Sequence, residues 1–369
     1  MKSFFLLFVL FLTTLIVAVA QTNTINVPLK LINVSLGGVR QTIAELKFDQ
    51  QQIITKTPSN LSVKIERFAN SKDIFSITPD KNNDGVFTND ETINLDIGSK
   101  QSFTQLIKDK FGKSRNVEFD IRVEREESKK IDYFTIHSDY SAKGQFEAKN
   151  CSIPIYVFDH NANTLFENEE NASNIGIDRN NDGKIWGKGE WAYSTEILEL
   201  CGKNFLIFNL AQNGTSLRLQ QTKLQNVKLF GESPKFDFTL VNNKSLSTET
   251  LKGKPYLVDF WATWCGICIA KMPEVKQLEG ILPIIYFNTD TTKRKLDALK
   301  LIDKLSIKEN SVLRISPNAD NFYKSYQRLE SGLPFYVLID GNGIIRYGGN
   351  GGENLKEVKD KIAELNKSR

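Results

Sequence analysis

Between Tyr256 and Leu278 the chain passes from an apolar strand pattern directly into a cysteine pair and then into a helical run. The segment reads Leu257-Val258-Asp259-Phe260-Trp261-Ala262-Thr263-Trp264-Cys265-Gly266-Ile267-Cys268. A buried strand of this kind delivers the first cysteine to a helix start. There the unpaired backbone amides and the helix dipole favour a negative charge, which biases the thiol of Cys265 towards thiolate. Cys268, three residues on, lies on the same helix face and is close enough to attack a mixed disulfide formed at Cys265. The spacing therefore predicts a nucleophile, Cys265, and a resolving partner, Cys268.

The surroundings of this segment alternate strand and helix. Strand patterns cover Tyr256 to Trp261, Ile281 to Asn288, Pro334 to Ile339 and Gly343 to Tyr347. Helices are expected over Cys265 to Leu278, over Lys293 to Leu305, and at the C-terminus, where Leu355, Val358, Ile362 and Leu365 share one face. That is an α/β domain, residues 231–369. The 369-residue chain is long enough for two or three domains. Upstream the signal is short alternation, at Ile25 to Leu31, Val117 to Val123, Ile131 to Ile136, Ile153 to Phe158 and Phe205 to Leu210, with Asn, Gly and Asp between. This pattern predicts half-buried antiparallel strands, divided into β-rich domains at 21–140 and 141–230. Asn213-Gly214 is a hairpin dipeptide, because both positions tolerate positive φ. Gly231-Glu232-Ser233-Pro234 reads as a linker.

The first twenty residues form a signal peptide. Lys2 supplies the positive start, Phe4 to Val17 the apolar run, and Ala18-Val19-Ala20 the cleavage site, with an uncleaved anchor as the competing reading. The mature chain is therefore expected in the bacterial periplasm or secreted, and on a membrane only if the leader is retained. Export lets disulfides persist. Of the four cysteines, Cys151 and Cys201 are fifty residues apart and remote from the other pair, which disfavours one shared zinc site. They are expected either as a structural disulfide or as two buried thiols. With 48 basic and 44 acidic residues interspersed along the chain, charge does not argue for a nucleic acid partner.

Asp80-Lys81-Asn82-Asn83-Asp84-Gly85-Val86-Phe87-Thr88-Asn89-Asp90-Glu91 has the ligand grammar of a Ca2+ loop. The oxygens come from Asp80, Asn82, Asp84, the Val86 position and Glu91, with Gly85 making the sharp turn. A copy without glycine follows at Asp159, Asn161, Asn163, Thr164, Phe166 and Glu170. A third at Asp178, Asn180, Asp182, Gly183 and Ile185 places Glu190 one residue late. The similar setting of the first two suggests two related units. The competing reading is that Asn, Asp and Gly are turn formers between strands.

The redox segment closely resembles thioredoxin. More narrowly, Phe238 to Leu240, Gly253-Lys254-Pro255, Phe260 to Cys265 and Val337-Leu338-Ile339-Asp340-Gly341-Asn342-Gly343 resemble the exported thioredoxins of the TlpA and ResA type, over residues 234–369. The stretch from Gly144 to Leu219 is similar to small domains that precede such thioredoxins. The resemblance implies a thioredoxin-like fold and thiol-disulfide oxidoreductase activity without a cofactor for the redox chemistry. It assigns Asp259 to proton transfer at the resolving cysteine and implies a cis bond at Pro334. It also implies substrate contact at Trp264, Gly266, Ile267, Leu333 and Pro334. The implied partners are disulfide- or thiol-bearing exported proteins and a membrane or periplasmic redox donor. Ile267 stands where the family usually has proline, and the dipeptide between the cysteines helps set the potential.

Ile269, not His, follows Cys268, which removes c-type haem attachment. His137 and His160, the two histidines, both fall in the β region, which disfavours a histidine-based triad. The alternative function is a secreted binding protein whose calcium-loop β domains recognise a partner and whose thioredoxin unit is a redox-inactive scaffold.

Overall fold

The computed structural model describes residues 24–33, 41–68, 71–82, 84–108, 114–138, 140–168, 172–185, 187, 189–329, 332–350 and 355–367. The signal-peptide reading of residues 1–20 and the ligand reading of Glu170 lie outside them. Among the described residues no helix is long and apolar enough to cross a membrane.

Among the described residues, the region before about residue 230 is β structure in three sheets, all antiparallel. In the first, the neighbours run Gln41–Lys47, Ile131–Ser138, Ser114–Glu126 and Lys100–Lys108; in the second, Gln52–Lys56, Ser62–Arg67, Ile74–Pro79 and Ile93–Asp96. Alternation along these strands turns Ile65, Phe75 and Ile77 of one sheet and Phe119, Ile121 and Phe134 of the other into a shared core. The rings of Phe75 and Phe134 meet edge-on at 5.0 Å. Buried Asp132 accepts from Arg67 at 2.8 Å and from Arg125 at 2.7 Å, tying the two sheets together. Each of these charges is matched, which is what makes their burial tolerable.

The third sheet has eight strands, in the order Trp191–Tyr193, Ser173–Ile177, Cys151–Asp159, Tyr140–Ala148, Thr24–Asn33, Ser216–Thr222, Lys203–Leu210 and Leu198–Leu200. Its fifth strand changes partner midway. Thr24 to Pro28 pair with Gln220 to Ser216, and Leu29 to Asn33 pair with Gly144 to Tyr140. The division at residue 140 is therefore corrected at one point: Thr24–Asn33 belongs to the later sheet. Alternation in a sequence shows which face of a strand is buried, but not which distant strand it pairs with.

Cys151 and Cys201 form a disulfide with 5.9 Å between their Cα atoms. Five strand spacings separate Cys151–Asp159 from Leu198–Leu200 in the sheet order, about 24 Å in a flat sheet at 4.7–4.9 Å per strand. The sheet therefore curls on itself, and the disulfide closes the curl. In the hairpin after Leu210, only Gly214 of the Asn213-Gly214 pair takes a left-handed φ, +68°. A side chain there would also meet Phe166 at 2.5 Å.

The C-terminal domain begins with a short hairpin, β1 (Asp237–Thr239) and β2 (Ser245–Ser247). It continues with β3 (Tyr256–Trp261), α1 (Gly266–Lys276), β4 (Ile284–Asn288), α2 (Lys295–Leu305), β5 (Ser311–Leu313), α3 (Pro317–Tyr326), β6 (Phe335–Ile339), β7 (Ile345–Asn350) and α4 (Leu355–Lys367). The sheet order is β5-β4-β3-β6-β7, with β3, β4 and β5 parallel and the last two antiparallel to their neighbours. On one face Leu257, Trp261, Tyr286 and Leu338 pack with α1, α2 and α4. On the other, Val258, Phe260 and Phe287 pack with α3 and the β1–β2 hairpin. The strand–helix alternation of the sequence does not announce α3. Ser316 caps it by accepting from the Ala319 amide, and Pro317 opens its first turn.

Gly231 to Pro234 is not a free linker. The Ser233 amide donates to the Gly343 carbonyl at 2.8 Å, and the Ile345 amide donates to Gly231 at 2.9 Å. The segment is held because its amides and carbonyls face unpaired groups beside β7, a pairing no local residue pattern reveals. The β region is also bonded to α3 and the turn after it. Val227 donates to the Ser325 carbonyl at 2.9 Å, Gln327 donates to Thr195 at 3.2 Å, and Arg328 pairs with Glu196 at 3.3 Å.

Because the Cys151–Cys201 crosslink closes a separation of 50 residues, replacing both cysteines by alanine is expected to destabilise the β region by about 4 kcal/mol on the chain-entropy argument. Urea unfolding, followed by far-ultraviolet circular dichroism, checks this as a lower midpoint.

Candidate active site

Strand β3 is buried along its whole length, and it ends at Trp261. The turn Ala262 to Trp264 then carries the chain to Cys265, the N-cap of α1. Cys265 and Cys268 form the second disulfide. The Cys268 amide donates to the Cys265 sulfur at 3.2 Å, so one of the unpaired amides of the helix start is aimed at that atom. Cys265 is 7% and Cys268 2% exposed, whereas the neighbouring Trp264 and Ile267 are 61% and 56% exposed. An apolar rim thus surrounds a sulfur pair of which Cys265 is the more accessible member.

Leu333 and Pro334 come to the same end of the sheet. Strand β6 runs antiparallel to β3 with Phe335 opposite Phe260, so the start of β6 lies beside the end of β3. The Leu333–Pro334 peptide is cis. Leu333 is half-buried and packs against the core beneath Cys265 and Cys268. The sequence-predicted residues Trp264, Cys265, Gly266, Ile267, Cys268, Leu333 and Pro334 therefore converge, although Leu333 lies 65 positions after Cys268 in the chain.

Asp259 lies two residues before the end of β3, on the face covered by α1, and is buried. Its register partners on the flanking strands are Tyr286 and Tyr336. One carboxylate oxygen, Oδ1, has no hydrogen-bond partner. Burial pushes this carboxyl up to about 8, which keeps it protonated at neutral pH. Burial likewise raises the phenols of Tyr286 and Tyr336, and the Glu279 carboxylate, which accepts from the Tyr286 hydroxyl at 2.9 Å, raises Tyr286 further, so neither tyrosine is a source of charge here.

One residue of the site carries no signal in the sequence. Asp290, in the loop after β4, accepts from the Thr263 amide at 2.7 Å and from the Asn288 side chain at 2.9 Å. It is buried and anchors the turn that presents Cys265. A single Asp in a loop has no motif, and only the parallel pairing of β3 with β4 brings it to Thr263.

The Asp/Asn loops lie elsewhere, in the β region, and each connects neighbouring antiparallel strands. Their internal bonding is the same. Asp80 accepts from the amides of Asp84 and Gly85, Asp159 from those of Asn163 and Thr164, and Asp178 from those of Asp182 and Gly183. Asn82 and Asn180 accept from the amides of Asp84 and Asp182. Asp84 accepts from Val86 in the same way. Glu91 reaches back to the amides of Lys81 and Thr88, while Glu190 takes the Gly187 amide. Among the described residues no group of three or more His, Cys, Asp and Glu side chains is assembled that could hold a metal ion.

Residues 229–364 match the Redoxin family. The thiol:disulfide interchange protein DsbE of Pseudomonas aeruginosa is 30% identical over 151 residues, which is 40% of this chain and 81% of the relative. The protein of the same name from Xylella fastidiosa is 26% identical over 143 residues, 38% of this chain and 71% of the relative. Among solved structures, a thiol:disulfide interchange protein from Bacteroides sp. is 23% identical and covers 38% of this chain and 91% of its own, with a TM-score of 0.31.

Asp259 titrates near pH 8 in the fold against an ordinary value of 3.8. The fold thus favours its protonated form, and the stability this contributes is full below pH 4 and is lost as the pH rises through 8. Asp259→Asn removes that slope. The melting midpoint of the oxidised variant is expected to rise relative to the parent as the pH goes from 5 to 8, as thermal melts at a series of pH values will show.

Proposed function

This chain belongs to the redoxin family of thioredoxin-fold thiol:disulfide interchange proteins and is a thiol-disulfide oxidoreductase, and we propose that it works on exported proteins through Cys265 and Cys268. The observation that carries this reading is the helix-start amide of Cys268 aimed at the Cys265 sulfur, inside an exposed apolar rim.

In the reductive direction the Cys265 thiolate attacks one sulfur of a substrate disulfide. The Cys265–substrate S–S bond forms, and the other substrate sulfur leaves as a thiolate. The ionised form of Asp259 takes the proton of Cys268, and the resulting thiolate attacks the Cys265 sulfur. The Cys265–Cys268 disulfide forms, the second substrate sulfur is released, and two electrons have passed to the substrate. An external thiol or dithiol donor resets the pair. The carboxyl of Asp259, pushed up to about 8 by burial beneath α1, ionises close enough to neutral pH to support a role as the base that takes the Cys268 proton. Trp264, Gly266, Ile267 and the backbone of Leu333 are the surface on which the substrate chain is laid, beside Pro334. The apolar leader ending at Ala20 supports export to the periplasm or beyond.

Trapping tests the mechanism. A Cys268→Ser variant is expected to accumulate mixed disulfides with exported proteins on non-reducing gels, and Cys265→Ser to accumulate none; an empty lane for Cys268→Ser overturns the assignment. Asp259→Asn is expected to slow the resolving step by about a hundredfold near neutral pH, measured by stopped-flow fluorescence with the pH profile displaced.

For the Asp/Asn loops we propose a turn-locking role. The same bonding recurs in a loop without glycine and in one whose glutamate is displaced, which supports side chains serving the backbone in place of an ion. Melting midpoints in calcium and in chelator are expected to coincide. A rise with calcium that disappears in Asp80→Asn would assign the first loop to Ca2+ instead.

A further inference from the structure

Asp290, in the loop after β4, is buried, and both of its hydrogen bonds end on one oxygen. The Thr263 amide donates to Oδ2 at 2.7 Å, and the Asn288 side chain donates to the same atom at 2.9 Å. Among the described residues the other oxygen, Oδ1, is buried without a partner. The Thr263 hydroxyl does not turn to it, since its Oγ1 is buried without a partner as well.

Holding the Thr263 turn takes one acceptor oxygen with two lone pairs, and an asparagine would supply that oxygen in the same place. The carboxylate is therefore more than the anchor requires. It is also costly, because a buried oxygen without a partner loses its hydration and gains nothing in return. A polar group kept on such terms calls for a second role.

The place of Asp290 points to that role. Thr263 stands two residues before Cys265, a span of at most about 7 Å, so the carboxylate is on the order of 10 Å from the Cys265 sulfur. The geometry is fixed on both strands, because the Thr289 amide also donates to the Trp261 carbonyl at 2.8 Å. The charged groups around Asp290 leave its charge in place. Both of its hydrogen bonds come from neutral groups. Lys293, Arg294 and Lys295, further along the same loop, are exposed, where solvent and salt screen them. From β5, Arg314 donates its backbone amide to the Asn288 carbonyl at 3.1 Å, while its guanidinium goes to Asp320 at 2.8 Å and over the Tyr323 ring.

We propose that Asp290 sets the reducing strength of the pair: its carboxylate opposes the Cys265 thiolate across the turn that it holds, and so disfavours the dithiol form relative to the disulfide. Resting on the redox reading of Cys265 and Cys268, this role adds the residue that tunes it. The helix start favours the thiolate, and Asp290 works against that preference. A less favoured thiolate makes a pair that gives up its two electrons more readily, its own sulfurs being oxidised to the disulfide while the substrate sulfurs are reduced to thiols. At about 10 Å and the effective dielectric of partly buried sites, one charge changes such an ionisation about tenfold. Asp290 is a positioning residue, acting through Thr263 and through its own field.

The test compares the full mature protein with Asp290→Asn, which keeps an acceptor oxygen for the turn and loses the charge. Each is equilibrated in glutathione and in dithiothreitol buffers of graded ratio. Differential alkylation with mass spectrometry reads the Cys265–Cys268 peptide apart from Cys151–Cys201. In the variant the equilibrium is expected to move about tenfold towards the dithiol, which is about 30 mV less negative. The pH midpoint for alkylation of Cys265 by iodoacetamide is expected to fall by about one unit. Asp290→Ser, also neutral and also with an acceptor oxygen, is expected to move both readings the same way, so that either folded variant suffices. A residue that serves only as an anchor moves neither. An unchanged potential and midpoint in a neutral variant, or a shift towards the disulfide, overturn the proposal while leaving the redox reading intact. A parent pair that exchanges with neither buffer overturns the redox reading and the proposal with it.

Discussion

The redox site depends on the complete burial of β3. A strand covered on both faces cannot shift its register without exposing apolar side chains on one face or the other, so its end is a fixed point. From that point three features follow. Cys265 is placed at the N-cap of α1, Asp259 is confined between Tyr286 and Tyr336, and Phe260 is paired with Phe335, which sets Pro334 beside the sulfurs. Weakening the packing of α1, α3 or the β1–β2 hairpin on β3 would disturb all three together.

The same sheet organises its surroundings. Parallel strands share their exit edge, and that edge gathers the cysteine pair, the Asp290 anchor and the basic loop after β4. The β region is bonded to this domain through Glu196 and Arg328, with Glu196 far from the chemistry in sequence but held just after α3 in space. Its own architecture is independent of the redox pair. It rests on the Arg67–Asp132–Arg125 triad and on the Cys151–Cys201 closure of a curled sheet.

Local patterns were legible in proportion to how local their causes are. The helix over Lys293 to Leu305, the C-terminal helix face and the strands at Val117, Ile131 and Ile153 follow from side-chain periodicity, and the structure has them as α2, α4 and three β strands. The partner-switching of Thr24–Asn33 and the docking of Gly231 to Ser233 were not legible, because backbone pairing between distant segments leaves no mark on the side-chain pattern. Helix α3 escaped for a related reason: its large buried residues, Phe322, Tyr323 and Tyr326, are aromatics that suit a strand equally well until the tertiary core selects one.

By itself the sequence determined a buried strand feeding a helix capped by Cys265, a second cysteine one turn on, and a carboxyl at Asp259 inside an apolar run. These follow from chain order, helix geometry and the apolar pattern, which act over a few residues. Tertiary structure alone decided that Leu333 and Pro334 meet the pair, that Asp290 holds Thr263, that Cys151 finds Cys201, and that Glu196 of the β region meets Arg328. Each of those is a contact between segments far apart in the chain, and its energy exists only once the sheets that bring them together have formed.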